Sequence, residues 1–440
     1  MEVISREQME NKEKRMTVWL IKEGEPLPIE KKVRLMRTAS LAKYLAGEGH
    51  HVVWWSSSFL HGEKQYISKK HKIVDVQDNE KLVLLHSPVS YRKNVSFSRI
   101  LYHQRLAREF RIHAQEFKKP DIILCSWPTQ QFAEEAVKYG KGYHVPVVID
   151  IRDFWPDYFL RVLPKRWKPL GEILLTPLKF SASRVLKQAD ALTGNVPAAL
   201  EWGLRYAGRK RTALDKVIPI GAHRVMLTED GLAVHVKWWE ELGVTKETWN
   251  ICLIATLSSQ GDYDTLIKAV IHLSNKYDNI RLIVGGTGDR EGELRAIADN
   301  SKSVFFAGWL NKDQMDSLML ISKVGAFCYK NTDGFRDAFG NKVVQYLSAG
   351  LPVLNSAVGY AKEILDNNRA GLTYKEGDPM DCARTLEILI ENAKTQEEMG
   401  RNAKKLFEKE FDMDIVNRNF YGLFSEILDG NGKKTEGKNG

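Results

Sequence analysis

The chain has 440 residues, with 65 Lys and Arg against 56 Asp and Glu and a formal charge of +9. That length predicts two lobes rather than one domain. A basic balance with eleven Trp suits phosphorylated substrates or anionic lipid, and no zinc-finger spacing, RNA-recognition signature or dense basic block supports nucleic acid.

In chain order, residues 1–15 are polar and are expected to be disordered. MEVISREQMENKEKR lacks the apolar core of a signal peptide, and no apolar run is long enough to span a bilayer, so a cytoplasmic protein with at most peripheral membrane contact is expected. Strands are predicted at TVWLI (17–21), HVVWWSS (51–57), KLVLLHS (81–87), DIILCS (121–126), PVVIDI (146–151), ALTGN (191–195) and KVIPI (216–220). Such continuous apolar strands, separated by helical segments, imply a parallel sheet covered on both faces. His61, after WWSSSFL, is a candidate acceptor contact. DIRDFWPD follows a buried strand, so Asp150 and Arg152 share one face and Asp153 points to the other. Residues 158–188 mix Leu, Phe and Trp with seven Lys and Arg and one acid, Glu172, a composition suited to an anionic membrane surface. The four Cys (Cys125, Cys252, Cys328, Cys382) lie far apart in or near apolar runs and read as buried thiols, not as a metal site.

A second strand series begins at NICLIATL (250–257) and continues with IRLIVGG (280–286), VFFAGW (304–309), VGAFCY (324–329) and LPVLN (351–355). The expected organisation is a first Rossmann-like domain over 16–222, a connector over 223–249 and a second Rossmann-like domain over 250–412. A helix at 413–428 and a disordered tail over 429–440 are expected to follow. The fold class is α/β, with two doubly wound domains facing across a cleft.

The stretch DAFGNKVVQYLSAGLP (337–352) carries the most chemistry. A helix is predicted to open near Gly340 and to end at Gly350, before Pro352. Its N-terminus, at Gly340 and Asn341, is a seat for phosphate, because free N–H groups and the helix dipole both favour an anion. Asp337 and Gln345 supply hydrogen-bonding groups on either side, as a nucleoside diphosphate-sugar requires. Lys342 and Arg336 flank the seat, where a cation stabilises a departing diphosphate.

The same stretch resembles the Glu-x7-Glu signature of the retaining glycosyltransferases of family 4, with Asp337 and Gln345 in place of the two Glu. ASLAKYLAGEGHHVVWWSSSFLHGEK (39–64), YRKNVSFSRILYH (91–103), PDIILCSWPTQ (120–130), VPVVIDIRDFWPD (145–157), AGWL (307–310) and GLPVLNSAVGYAKEIL (350–365) extend the likeness from about Thr17 to Phe424. They are similar to the polysaccharide and O-antigen branch of that family. The resemblance implies the GT-B fold, with residues 16–222 as the acceptor domain, 250–412 as the nucleotide-sugar donor domain, the helix at 413–428 crossing back to the first domain, Asp337 on the donor sugar and Gln345 on the ribose. It places Gly359 and Tyr360 near the donor through their N–H groups, with Glu363 beside them.

Many relatives have an Arg and a Lys-Gly pair in the first donor-domain loop. Here Thr256 and Gln260-Gly261 stand there, leaving backbone N–H groups of Ser258, Ser259 and Gly261 to cradle phosphate. Gly286, in GGTGD (285–289), is expected to let the nucleotide approach. Arg34 and Arg37 stand in a loop that approaches donor phosphates in relatives. Arg152 replaces a His and cannot act as a base, but can hold a phosphate; Asp150 or Asp153 is then the candidate base or orienting group.

The implied activity is retaining transfer from a nucleotide-sugar co-substrate to a lipid-linked or other glycan acceptor, without cofactor or metal. The alternatives are a nucleotide-sugar epimerase of the same fold and a binding homologue that has lost the chemistry.

Overall fold

Stretches such as TVWLI and VVIDI lack the polar alternation of a half-wetted strand, and in the structure every one of their residues is buried. The computed structural model describes residues 15–30, 34–93, 96–161, 163–225, 229–332 and 339–436. The chain divides into two units, one of residues 1–218 with 417–440 and one of residues 219–416.

Unit 1 holds strands β1 (Thr17–Ile21), β2 (His51–Ser57), β3 (Phe59–Leu60), β4 (Gln65–Tyr66), β5 (Lys72–Gln77), β6 (Glu80–Leu85), β7 (Ile122–Trp127), β8 (Val147–Ile151), β9 (Ala191–Gly194) and β10 (Lys216–Val217). Its main sheet runs β10-β9-β8-β7-β1-β2-β6-β5, and β3 and β4 form a separate hairpin. All main-sheet pairs are parallel except β5 with β6. Strand order reverses between β1 and β7, so the loops after these two strands flank a crevice at the C-terminal edge. Trp19 and Trp55 pack edge to face at 5.1 Å, and Phe110 meets both rings.

Unit 2 holds β11 (Trp249–Ile254), β12 (Ile280–Gly285), β13 (Val304–Gly308), β14 (Val324–Phe327), β15 (Val353–Asn355) and β16 (Gly371–Thr373). Its sheet is wholly parallel, in the order β13-β12-β11-β14-β15-β16, with the reversal between β11 and β14. The segment expected as a bare connector contains the helix Glu229–Glu241, whose Trp239 is fully buried and donates to Ser317 Oγ at 3.0 Å.

The last helix runs Met413–Glu436. Within unit 1, its Asn417 donates to the Ser40 carbonyl, Arg37 lies 4.5 Å over the Phe420 ring, and Lys216 pairs with Glu426. The helix continues through residues 429–436, which the sequence suggested to be disordered; Phe420, Leu423, Phe424 and Ile427 are buried, so its apolar face is anchored. Residues 1–14 and 437–440, also expected to be disordered, lie outside the described residues. No helix among the described residues is long and apolar enough to cross a membrane.

Candidate functional site

In unit 2 the C-terminal strand ends converge on the helix Asn341–Ser348. Tyr346, fully buried, anchors this helix by accepting the Ile254 N–H at 2.9 Å, at the end of β11. A Cβ on Gly325 would meet the Tyr346 ring at 2.3 Å, so only glycine lets the ring lie across β14. Leu351 N–H donates to Tyr346 O and Gly350 N–H to Leu347 O, with Gly350 at φ +72°: a Schellman stop that fixes the helix end where the sequence placed it.

At the other end the N-cap is Gly340, which has no side chain to cap the first turn. Asn341 is exposed, and Lys342 is half-buried with Nζ 3.4 Å from Met315 Sδ. Gln345 is buried, and its Oε1 has no hydrogen-bond partner among the described residues. Asp337 and Arg336 lie outside the described residues.

The first donor-side loop departs from expectation. Ser258 N–H donates to Thr256 O at 2.8 Å and Gly261 N–H to Ser258 O at 3.2 Å, so two of the three donors expected for phosphate are spent inside the turn. Ser259 is exposed. Gly261 is needed because a Cβ there would sit 2.0 Å from the Tyr263 ring. Gly286 likewise serves the chain's own backbone: at φ +128° its N–H donates to Gly308 O, and a Cβ would lie 1.9 Å from Ala255 O. Gly359 caps the helix Tyr360–Asn367, Tyr360 packs against Phe339 at 5.2 Å, and Glu363 is exposed. Asn331 orders the neighbouring loop, donating to Ser356 O and accepting from Val358 N–H.

Unit 1 gathers charge at its strand ends. Asp150 has no solvent exposure and accepts from Arg37 Nε and one Arg37 terminal nitrogen, Arg152 Nε at 2.7 Å, and Thr193 Oγ1 at 2.8 Å. Burial alone pushes the Asp150 carboxyl up, but the two guanidinium groups outweigh it and hold the carboxyl well below the usual range. Such a group is neither accessible nor basic, which removes Asp150 as the base. Arg37 is equally committed: it also donates to Ile218 O, and it is buried rather than facing phosphate. Arg152 pairs with Glu25 as well and donates to Thr38 Oγ1. Asp153 Oδ1 accepts the Phe154 N–H, a local loop bond. Arg34 is half-buried, just before the helix Arg37–Gly47.

His61 Nδ1 lies 2.5 Å from the Tyr91 hydroxyl and 3.4 Å from Lys64 Nζ. Burial, then Lys64, push its imidazole pKa down, favouring the neutral ring.

The sequence reading overlooked Lys22, Glu23 and Glu25, which follow β1 at the strand-order reversal. Glu23 is buried; one carboxylate oxygen lies 3.2 Å from His103 Nε2 and accepts from Thr129 Oγ1, while Oε2 has no hydrogen-bond partner among the described residues. Burial raises this carboxyl and the His103 contact overcomes that, so it stays ionised well below the usual range. The available signal was position alone: KEGE stands immediately after a fully buried strand.

On another face of unit 1, the helix Lys168–Gln188 and the turn before it expose Trp167, Leu170, Ile173, Leu174 and Phe180. Lys165 and Arg166 are exposed beside Trp167, whereas Lys179 and Arg184 are tied to acids.

Residues 237–406 match the family model described as glycosyl transferases group 1. The chain is similar to the capsular polysaccharide biosynthesis glycosyltransferase CapM of Staphylococcus aureus, at 24% identity over 177 residues, 39% of this chain and 44% of the relative. It is 25% identical over 305 residues to the sulfoquinovosyl transferase SQD2 of Arabidopsis thaliana, covering 66% of this chain and 54% of that one. The chain spans about half the length of the first curated relatives it matches. Among solved structures, sucrose-phosphate synthase from Thermosynechococcus elongatus aligns with a TM-score of 0.71 at 13% identity, over 94% of this chain and 100% of that one. HepE from Anabaena in complex with UDP aligns at 0.64 and 16%, over 93% and 100%. These likenesses establish the GT-B fold.

Proposed function

We propose, from the premise that residues 237–406 carry the glycosyl transferases group 1 domain, that the chain is a retaining, nucleotide-sugar-dependent glycosyltransferase. Unit 2 takes the donor and unit 1 the acceptor. The observation that carries this reading is the helix Asn341–Ser348. Its N-cap is glycine, which offers no capping side chain, Lys342 stands in the first turn, and the buried Gln345 has an acceptor oxygen with no partner among the described residues.

The donor diphosphate sits on the helix N–H groups, and Lys342 stabilises the charge that develops as the anomeric C–O bond breaks. Asp337 holds sugar hydroxyls and Gln345 accepts from a ribose hydroxyl. The acceptor oxygen joins the anomeric carbon on the face the diphosphate leaves, and its proton passes to the departing phosphate oxygen. In unit 1, Arg152 and the buried Glu23 orient the acceptor, with Asp150 and Arg37 as positioning residues behind them.

The proposed acceptor is a glycan on a polyprenyl-diphosphate carrier, extended during bacterial surface-polysaccharide synthesis at the cytoplasmic face of the membrane. Support comes from the name of the CapM relative and from the apolar side chains beside Lys165 and Arg166, which suit an anionic lipid surface.

The test is a thermal-shift and hydrolysis screen of the purified chain against UDP-, GDP-, dTDP- and CMP-sugars. Stabilisation by one donor, with slow sugar release lost in Asp337→Ala, is the expected result. Silence toward every donor would overturn the reading and leave a binding homologue without transfer chemistry.

A further inference from the structure

Far apart in sequence, His71, His113 and Glu116 come together on unit 1, each offering a ligand atom within 4.8 Å of the others. His71 precedes β5, His113 closes the helix Phe97–His113, and Glu116 ends the short turn that follows. The two imidazoles stack at 3.8 Å with an interplanar angle of 4°. His113 Nδ1 is 2.8 Å from Glu116 Oε1, and its Nε2 faces Glu109 Oε2 at 3.7 Å. Both ring nitrogens of His71 are shielded from solvent and have no hydrogen-bond partner among the described residues.

Stacking alone does not account for this arrangement. A shielded imidazole normally gives one nitrogen a donor and the other an acceptor, and His71 has neither. Two imidazoles and a carboxylate are a donor set of zinc-type divalent ions. With zinc–nitrogen bonds of about 2.1 Å, tetrahedral ligands lie roughly 3.4 Å apart, within the 4.8 Å that bounds the three ligand atoms, and the stacked rings would open for their in-plane lone pairs to converge on one ion. Glu109, on the far nitrogen of His113, is placed as the carboxylate that fixes ring orientation in histidine metal sites.

We propose that His71, His113 and Glu116 form a binding site for a divalent zinc-type cation, oriented by Glu109. The ion would clamp the start of the edge strand β5 to the end of the helix Phe97–His113, a structural role separate from the donor and acceptor chemistry.

The test uses the untagged full chain, stripped with chelator and titrated with zinc chloride by calorimetry, with metal content measured after dialysis. One zinc per chain is expected, with a rise in Tm. Glu116→Gln, at an exposed position, and His71→Ala should each weaken binding at least tenfold, Glu109→Gln by a smaller factor, and His51→Ala, an exposed histidine outside the cluster, not at all. Circular dichroism of the metal-free variants separates lost binding from lost fold. Failure to retain zinc, or retention unchanged in both Glu116→Gln and His71→Ala, would overturn the proposal. No donor or acceptor enters the experiment, so its outcome is distinct from that of the transferase reading.

Discussion

The C-terminal strand ends of the two units are built differently. In unit 1 they are filled by charged side chains paired with one another: Asp150 with Arg37 and Arg152, Arg152 with Glu25, and Glu23, through one of its two oxygens, with His103. In unit 2 they are filled by backbone, with glycine letting one loop touch the next and the N–H groups of Ser258 and Gly261 turned inward. Charge in a strand-end motif is therefore a poor guide to catalysis by itself. The conspicuous DIRD acids of unit 1 are partly scaffolding, whereas the plainer helix Asn341–Ser348 keeps a polar atom, Gln345 Oε1, with no partner among the described residues.

The largest expected effect tests that contrast directly. Asp150→Asn keeps the shape and removes the charge, taking from the buried Arg37 and Arg152 the carboxylate they share and leaving Arg152 with Glu25. Breaking a buried pair this way costs about 3–5 kcal/mol, read as a lower urea midpoint by fluorescence and circular dichroism. A loss under about 1 kcal/mol would mean that Asp150 is not the hub of the network. In unit 2, Lys342→Ala should instead spare stability and lower kcat/KM by roughly 100-fold, about 2.7 kcal/mol, as loss of a charge-stabilising donor does. An unchanged rate on the donor found in the screen would remove Lys342 from the leaving-group role.

Much of this contrast lies beyond what sequence pattern carries. Strands such as TVWLI and, to within one residue at each end, DIILCS were legible because double burial demands an unbroken apolar run, and Gly350 marked the helix end because φ +72° favours glycine. β5 was missed because KIVDVQ is a largely exposed edge strand, and β16 because three residues make no pattern. The Arg37–Asp150 pair spans 113 positions, and His71 meets His113 only after β5 is placed; composition holds no trace of either. Gly286 shows a further limit, since a glycine that admits a ligand and one that admits a neighbouring carbonyl look alike in sequence. Asp337 and Arg336, central to the sequence reading, lie outside the described residues.

Tyr346→Phe sharpens the comparison within unit 2. It keeps the ring against Gly325 and removes only the oxygen that accepts the Ile254 N–H. Leaving that buried donor unmet should cost about 1–3 kcal/mol, and it should loosen the helix that carries Lys342 and Gln345. A midpoint shift in urea with a rise in donor KM is expected; a KM that does not move would show that the helix holds its place without this bond.

The smallest effect contrasts two buried carboxyls of unit 1. Asp150 has two guanidinium partners and is held low, whereas Glu80, at the opposite end of the strands, accepts from the Gln77 amide at 2.8 Å. Burial pushes the Glu80 carboxyl up to about 7, against smaller lowering by Gln77 and Lys43. Because the folded pKa lies above the unfolded value, the folded state binds the proton more tightly, so stability from this group is greatest at acid pH and is lost as pH rises through about 7. For Asp150 the sign is opposite, and its contribution is lost as pH falls. Glu80→Gln abolishes the Glu80 titration and should stabilise the protein above neutral pH by about 1–2 kcal/mol, less than the full linkage value because solvent screens the group. Urea midpoints of wild type and variant, measured from pH 5 to 8, should diverge as pH rises; parallel curves would mean that Glu80 is ionised in the folded protein throughout, like Asp150.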